Sequence, residues 1–494
     1  MKDKEKGAVL TGNYQRLNLL KTNEAFLETL DSLGISMPFD DKVITGHESP
    51  LAQTITLSNG FTIGNRFCVH PMEGWDGSTD GNPTELVLRR WRNFGRSGAK
   101  LIWGGEAFAV RPDGRANPNQ LMILDSTLSG VADLRAALIE EHERAVGKSN
   151  DLFIGMQLTH SGRFCRPNEK GKLEPKIVYH HPLLDQIFNI PEDINPITDM
   201  ELDDLIGFYI QAAKRAQSLG FDFVDIKHCH GYLGHELLSA VDRPGRYGGT
   251  LENRTRFLKD IIRGIQAECP GLVIGVRFSV FDMPPFRPDE NRVGRMLPYR
   301  DENGRYPYAF GGDPENPGKL NLAEPIELVR MLKAWGVEMV NFSASSPYYS
   351  PHLIRPHYYP PSDGYIPPED PLVSVARLIN AAADLKQAAP EMICVGSGYS
   401  YLQEFIPNVA QAVVRQEMID LVGLGRSMLS YPELPRDVLD GEQLKRRKIC
   451  RTFSDCTTAP RKGLVSGCYP LDDYYKQLPE AESLRVIKRE LRGL

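Results

Sequence analysis

The densest group of chemistry-bearing side chains in this chain is Lys227-His228-Cys229-His230-Gly231-Tyr232, with Glu236 just beyond. An ammonium, two imidazoles, a thiol and a phenol this close together can hold an oxyanion, ligate a metal or move a proton. The preceding Phe221-Asp222-Phe223-Val224-Asp225-Ile226 is apolar and rich in ring and branched types, which predicts a buried strand. Titratable groups at the end of a buried strand are where α/β enzymes place their chemistry, because strand ends are rigid and open onto loops. The competing reading is a structural loop whose histidines are merely satisfied.

The same arrangement recurs along the chain. Helical patterns at 84–98, 127–147, 199–219, 250–268, 322–335, 372–388 and 402–416 lead into strand-like runs at 100–103, 152–157, 221–226, 272–277, 339–342, 393–396 and 419–425. With a further strand at 66–69, eight strands are predicted, the later seven each preceded by a helix. That order is the signature of a parallel (β/α)8 TIM barrel of the α/β class; a doubly wound open sheet is the alternative. Polar residues follow the strands in register: His70-Pro71-Met72-Glu73, Glu106, Gln157 with His160, Lys227 to Tyr232, Arg277, Ser343 to Ser346, Ser397-Gly398 and Gly425-Arg426. Random loop polarity would not respect that register.

Residues 1–48 read as an N-terminal extension carrying a helix over Asn23–Leu33, 49–440 as the barrel, and 441–494 as a C-terminal tail. Ser58-Asn59-Gly60 between short apolar runs predicts a hairpin. The connections at about 281–320 and 343–371, rich in Pro, Gly and Tyr, exceed usual loop lengths and are candidate lids or substrate walls.

Of the 494 residues, 41% are apolar and 25% charged, and the net charge is −6. That balance is ordinary for a globular chain and gives no reason to expect a nucleic-acid or anionic-membrane partner. No apolar run approaches the roughly 18 residues of a membrane span, and Met1-Lys2-Asp3-Lys4-Glu5-Lys6 lacks a signal peptide's apolar core. The eight thinly spread cysteines suit reduced thiols, so a cytoplasmic location is expected.

Val395-Gly396-Ser397-Gly398 and Gly423-Leu424-Gly425-Arg426 place glycines and a guanidinium at the seventh and eighth strand ends. Barrels commonly bind a phosphate there. Tyr399-Ser400-Tyr401 follows Gly398, so the Gly-x-Gly-x-x-Gly dinucleotide fingerprint is missing and one phosphate fits better than a pyrophosphate.

In order along about 50–440 stand Asn65-Arg66, His70-Pro71-Met72, Gly105-Glu106-Ala107-Phe108-Ala109-Val110, Gly114-Arg115, Gln157-Leu158-Thr159-His160-Ser161-Gly162-Arg163, His230-Gly231-Tyr232-Leu233, Tyr247-Gly248-Gly249, Glu252-Asn253-Arg254 and Val422 to Arg426. Taken together this set resembles the old yellow enzymes, the NADH:flavin oxidoreductases. The resemblance implies an FMN-binding barrel fed by NADH or NADPH that reduces an activated C=C bond of a small molecule. It would place Pro71, Met72 and Ala107 along the isoalloxazine, Gln157 at its pyrimidine edge, and Arg277 at the N1/O2 region. Ser397, Gly398, Gly425 and Arg426 would hold the phosphate. His230 would polarise the substrate carbonyl and Tyr232 would protonate the α-carbon.

Two positions depart from the family pattern. Lys227 stands where an oxyanion-binding imidazole is usual; it could bind an oxyanion as a point charge, act as a base, or favour a carboxylate substrate. Glu73 stands beside the flavin where Thr or Cys is usual, and needs protonation, pairing (Lys227 is a candidate) or a conformation turned away. Some larger relatives carry an iron–sulfur cluster after the barrel, but Cys450, Cys456 and Cys468 leave a four-iron cluster one ligand short. Structural thiols are the expectation, with a three-cysteine metal site or a redox role as alternatives, and no metal site is assigned. Electrons would come from NAD(P)H or a donor protein, and self-association is left open. Two other readings stay open: an FMN enzyme that oxidises or isomerises its substrate, and a metal-dependent hydrolase using His228 and His230.

Overall fold

The computed structural model describes residues 12–490. Eight parallel strands close into a barrel: β1 Phe67–Val69, β2 Leu101–Ile102, β3 Phe153–Thr159, β4 Phe223–Ile226, β5 Val273–Ser279, β6 Met339–Ser343, β7 Ile393–Gly396 and β8 Leu421–Leu424. Closure is the pairing of β8 with β1, which sets Leu424 against Val69 and Val422 against Phe67. An additional short strand, Ala107–Ala109, extends the ladder beside the upper half of β3. The open-sheet alternative is therefore excluded.

Between the strands run α2 Glu85–Arg96, α3 Leu128–Val146, α4 Asp199–Ser218, α5 Arg256–Glu268, α6 Ala323–Ala334, α7 Pro371–Ala388 and α8 Ile406–Arg415; α1, Asn23–Ser32, precedes them. Each lies where helical periodicity places it. Two begin or break differently: the sequence at 250–268 forms a short turn, Leu251–Arg254, before α5, and Tyr399–Phe405 is 3₁₀ rather than the start of α8. The cause at α8 is local, since Gln403 sits at φ 55°, a conformation that no α-helix continues through. Local chemistry fixes α4 at its start, where Thr198 Oγ1 accepts from Glu201 N at 3.2 Å and Glu201 Oε2 accepts from Thr198 N at 2.8 Å.

Two apolar layers result. Inside the barrel Cys68, Leu101, Trp103, Phe153, Phe223, Met339, Val395 and Leu421 pack together, and Phe153 stacks on Phe223 at 5.3 Å. The hairpin around Asn59-Gly60 pairs Ile55 with Ile63 and adds Leu57 and Ile63 to this cluster, plugging the end away from the polar groups. The larger layer lies between strands and helices. The long connections contain a small hairpin, Phe286–Pro288 with Gly294–Met296, and a short helix, Pro351–Ile354. No helix among the described residues is long and apolar enough to cross a membrane.

The N-terminal segment is fastened to the barrel through aromatic packing. Phe26 of α1 is 0% exposed and stacks on Phe405 at 4.2 Å, while Asp40 binds Arg415 at 2.7 Å. Removing a buried ring leaves both lost transfer energy and a cavity. Phe26→Ala is expected to cost about 3–5 kcal/mol, read as a lowered urea midpoint with an unchanged slope.

Candidate active site

The site starts from the turn after β4. His230 and Gly231 are both left-handed, at φ 69° and 79°. A side chain there costs His230 roughly 1–2 kcal/mol, and the surroundings hold it in place: its N–H donates to Ser279 Oγ at 3.2 Å and its carbonyl accepts from Ser346 Oγ at 2.8 Å. Gly231 tolerates no Cβ, which would lie 2.9 Å from Phe164 and from Ser346. The turn brings His230 and Tyr232 onto one cavity wall. His228 goes the other way, into the core beside Phe257 and against the backbone of Gly234.

His230 Nε2 pairs with Ser343 Oγ at 2.8 Å, leaving Nδ1 for a ligand. Burial, reinforced by Arg277 and Lys227, holds its pKa well below the ordinary value, so the ring is neutral. Tyr232 donates to Glu73 Oε2 at 3.2 Å and lies 3.0 Å from the Tyr348 hydroxyl. Burial and then the Glu73 charge push its pKa well up, and burial pushes Tyr348 to about 12. Lys227, buried, sets its ammonium 3.6 Å from Glu73 Oε2 and 3.9 Å from the centre of the Tyr232 ring. Trp75 Nε1 donates to Glu73 Oε1 at 3.0 Å. The two unusual residues therefore answer each other, the ammonium compensating the carboxylate beside the phenol.

The cavity has two confluent chambers of about 210 and 180 Å³. Pro71, Met72, Glu73, His230, Arg277, Arg355, Cys456 and Thr457 line both. Gln157, Lys227 and Tyr232 face the smaller, and Ser397, Gly398, Gly425 and Arg426 the larger. Gln157 Nε2 donates to Asp225 Oδ2 at 2.6 Å, and the other carboxylate oxygen accepts from Arg277 N at 2.7 Å. One buried acid thus orients the Gln157 amide and fixes the backbone that carries Arg277. His70, at the end of β1, spans the mouth from Asn341 Nδ2 (3.2 Å) to Ser397 Oγ (3.0 Å). A Cβ on Gly423 would lie 2.1 Å from its ring, so only glycine fits there. Ser397 Oγ also donates to Phe342 O at 2.6 Å, which leaves the backbone of Ser397 as its free contribution to a phosphate.

Ala107 is the one expected ring contact that lines neither chamber; it is buried one strand over, in register with Gln157. Lining residues not picked out in the sequence include Trp75, Tyr348, Arg355 and Arg461. Tyr348 and Arg355 fall in the 343–371 connection, whose length was the available signal. Arg461, with Cys456 and Thr457, comes from helix α9, Asp455–Arg461, of the C-terminal tail, and no local pattern ties that tail to the mouth. All eight cysteines are free thiols, and among the described residues no three His, Cys, Asp or Glu side chains are grouped to hold a metal ion. A larger cleft of about 610 Å³ lies on the outer face of the tail, between Tyr359 and Leu484, away from the strand ends.

The residues present fit FMN. Buried Arg426 Nη1 and Arg277 Nε have no hydrogen-bond partner among the described residues, Arg426 lining the larger chamber and Arg277 both. Gly398, at φ 99°, and Gly425 leave open backbone between the strand ends and the wall. Fold and site define a flavin-dependent oxidoreductase on a (β/α)8 barrel, with FMN as its cofactor. A sequence profile of the NADH:flavin oxidoreductase / NADH oxidase family matches residues 50–291, which take in the first five strands of the barrel. The chain is 27% identical over 389 residues to an NADPH dehydrogenase of Bacillus subtilis (strain 168), covering 77% of this chain and 92% of the relative. It is 29% identical over 222 residues to an NADPH dehydrogenase of Clostridium acetobutylicum, covering 44% of this chain and 60% of that one. Among solved structures the fold is shared with the old yellow enzyme homologue of Zymomonas mobilis: TM-score 0.54, 19% identity, 80% of this chain and 94% of that one. It is also shared with a 2-naphthoyl-CoA reductase: TM-score 0.60, 18% identity, 86% of this chain but 57% of the other.

Asp225 carries a measurable signature. Burial raises its carboxyl to about 6 against the hydrogen bonds that lower it. Between pH ~4 and ~6 the folded state keeps a proton that the unfolded state has lost, so this group's contribution falls as pH rises through that window. Asp225→Asn is expected to remove a decline of about 2–3 kcal/mol, seen as a flatter stability profile between pH ~4 and ~7 in denaturant titrations.

Proposed function

We propose that this chain is an NAD(P)H-dependent FMN reductase of carbon–carbon double bonds activated by a carbonyl or carboxylate. The observation that carries the reading is that His230, Tyr232, Gln157 and Arg277 face one chamber, a neutral donor and an acid opposite the two groups suited to a flavin ring. The naming of relatives as NADPH dehydrogenases, and the shared fold of a morphinone reductase, support the same direction. FMN, when bound, supplies the hydride that it receives from the nicotinamide.

In this reading the backbone at Ser397, Gly398 and Gly425 and the Arg426 guanidinium hold the phosphate, Gln157 and Arg277 the ring, and Pro71 and Met72 its flank. His230 Nδ1 donates to the substrate oxygen. Its neutrality suits it to share a proton with developing charge while remaining uncharged at rest. Tyr232 gives its proton to the α-carbon. The phenolate left behind lies beneath the Lys227 ammonium and within reach of the half-exposed Tyr348 hydroxyl, which passes it a proton and takes one from solvent in turn. Lys227 acts here as the counter-ion that lets Glu73 stand beside that phenol. The same pair closes part of the space where a neutral enone would sit, and favours substrates with a polar or anionic activating group.

Purified protein should be yellow, and NADPH or NADH should bleach the flavin band in the absence of air. Bleaching by dithionite but by neither nucleotide would point to a protein donor instead. Tyr232→Phe should leave flavin reduction intact and slow reoxidation by an activated alkene about 10²–10⁴-fold in rapid-mixing experiments. Equal loss in both half-reactions would remove Tyr232 from the acid role.

A further inference from the structure

The positive charge at the barrel mouth is unevenly matched. Arg90 is held by Asp76 and Glu106, Lys227 by Glu73, and Arg461 by Asp363. Arg277, Arg355 and Arg426 form no ion pair among the described residues. Arg277 and Arg355 line both chambers, Arg277 with its backbone N–H on Asp225, and Arg426 lines the larger one with Ser397, Gly398 and Gly425.

These two arginines come from distant parts of the chain and are packed together by the fold. Arg426 stands two residues past the end of β8, whereas Arg355 follows the short helix Pro351–Ile354 in the long connection after β6. Arg426 Nη2 donates to the carbonyl of Pro356, the residue next to Arg355, at 2.8 Å, and its buried Nη1 is left unpartnered. Arg355 Nη1 donates to Thr457 Oγ1 of α9, which leaves most of its five donors unused. The local field records the imbalance. Burial, then Arg426 and Arg461, bring the Arg355 guanidinium down to about 10, and burial with Arg355 brings neighbouring His357 to about 3. Two neighbouring like charges, Arg426 buried and Arg355 half-buried, with no ion-pair partner among the described residues, are costly unless a multiply charged anion lies between them. A phosphate monoester, with a charge of about −1.5 to −2 and three acceptor oxygens, answers both guanidiniums at once.

We propose that Arg355 is a second guanidinium on the FMN phosphate, completing with Arg426 a two-arginine clamp for a phosphate monoester dianion. The inference rests on the FMN reading and adds to it a residue from outside the strand ends. Because Arg355 also holds Thr457, the clamp ties the C-terminal helix α9 to the cofactor's phosphate rather than to its ring.

The test is titration of the full-length chain, stripped of flavin, with FMN and with riboflavin, followed by flavin fluorescence. Arg355→Met is expected to raise the Kd for FMN by about 10–100-fold, the size of a lost charge-assisted contact, and to leave riboflavin binding unchanged. It should also weaken the salt dependence of FMN binding, and Arg355→Lys should restore that dependence with part of the affinity. An unchanged ratio of FMN to riboflavin affinity would overturn the clamp and leave Arg355 to an anionic substrate or to structure. Binding of neither flavin by the wild-type chain would defeat the FMN reading itself. The wild-type chain gives a check that needs no variant: amide hydrogen exchange across 455–461 should slow further with FMN than with riboflavin, and equal slowing by both would count against the clamp.

Discussion

Everything at the mouth depends on how the sheet closes. The pairing of β8 with β1 sets Leu424 beside Val69, and the ladder continues one step further as His70 N donates to Leu424 O at 2.9 Å. That step carries the His70 ring over Gly423, where no Cβ stands, to meet Asn341 from β6 and Ser397 from β7. A neutral imidazole, kept so by burial, thereby links the ends of three strands. The hydrogen bonds of a closed parallel sheet leave no freedom of register, so the strand ends present their polar groups at one fixed height.

Within that frame the mouth is a problem in charge compensation. Buried ionic groups are tolerated when paired and costly when not. Arg90 bridges Asp76 and Glu106, and competition between burial and its positive charge leaves Glu106 near 7. Arg163 similarly joins Glu236 to Asp185 beneath the turn that carries His230 and Tyr232. Glu73 and Lys227 follow the same rule at the site itself. Either residue alone would leave a charge against the phenol of Tyr232; together they keep that phenol in a nearly balanced field. The two departures from the family pattern are one change made in two places.

The long connection after β6 and the C-terminal tail do what the strand ends cannot. Tyr348 reaches Tyr232, and Thr457 reaches Arg355. They convert an open strand-end surface into two bounded chambers, so the identity of the reaction rests on the barrel while the shape offered to a substrate rests on segments outside it.

Much of this was legible in the residues. Alternation of 3.6-period and strand-like runs placed seven helices and eight strands, because burial against a common sheet imposes those periods whatever the loops do. The polar residues after each strand, and hence Gln157, His230, Tyr232, Arg277 and Arg426, followed from strand position alone. Ala107, expected at the ring from the family resemblance and not from strand position, lies in a short added strand in register with Gln157. The Glu73–Lys227 pair was anticipated only as a candidate, because residues this far apart are joined by barrel closure and not by spacing. Arg355 and Tyr348 were legible only as members of the long 343–371 connection, and the α9 contacts not at all: irregular segments have no period, and their direction is set by packing against surfaces that exist only once the chain has folded. The sequence by itself determined the barrel and the chemistry at its strand ends, and the tertiary structure alone decided which charges answer each other across the mouth.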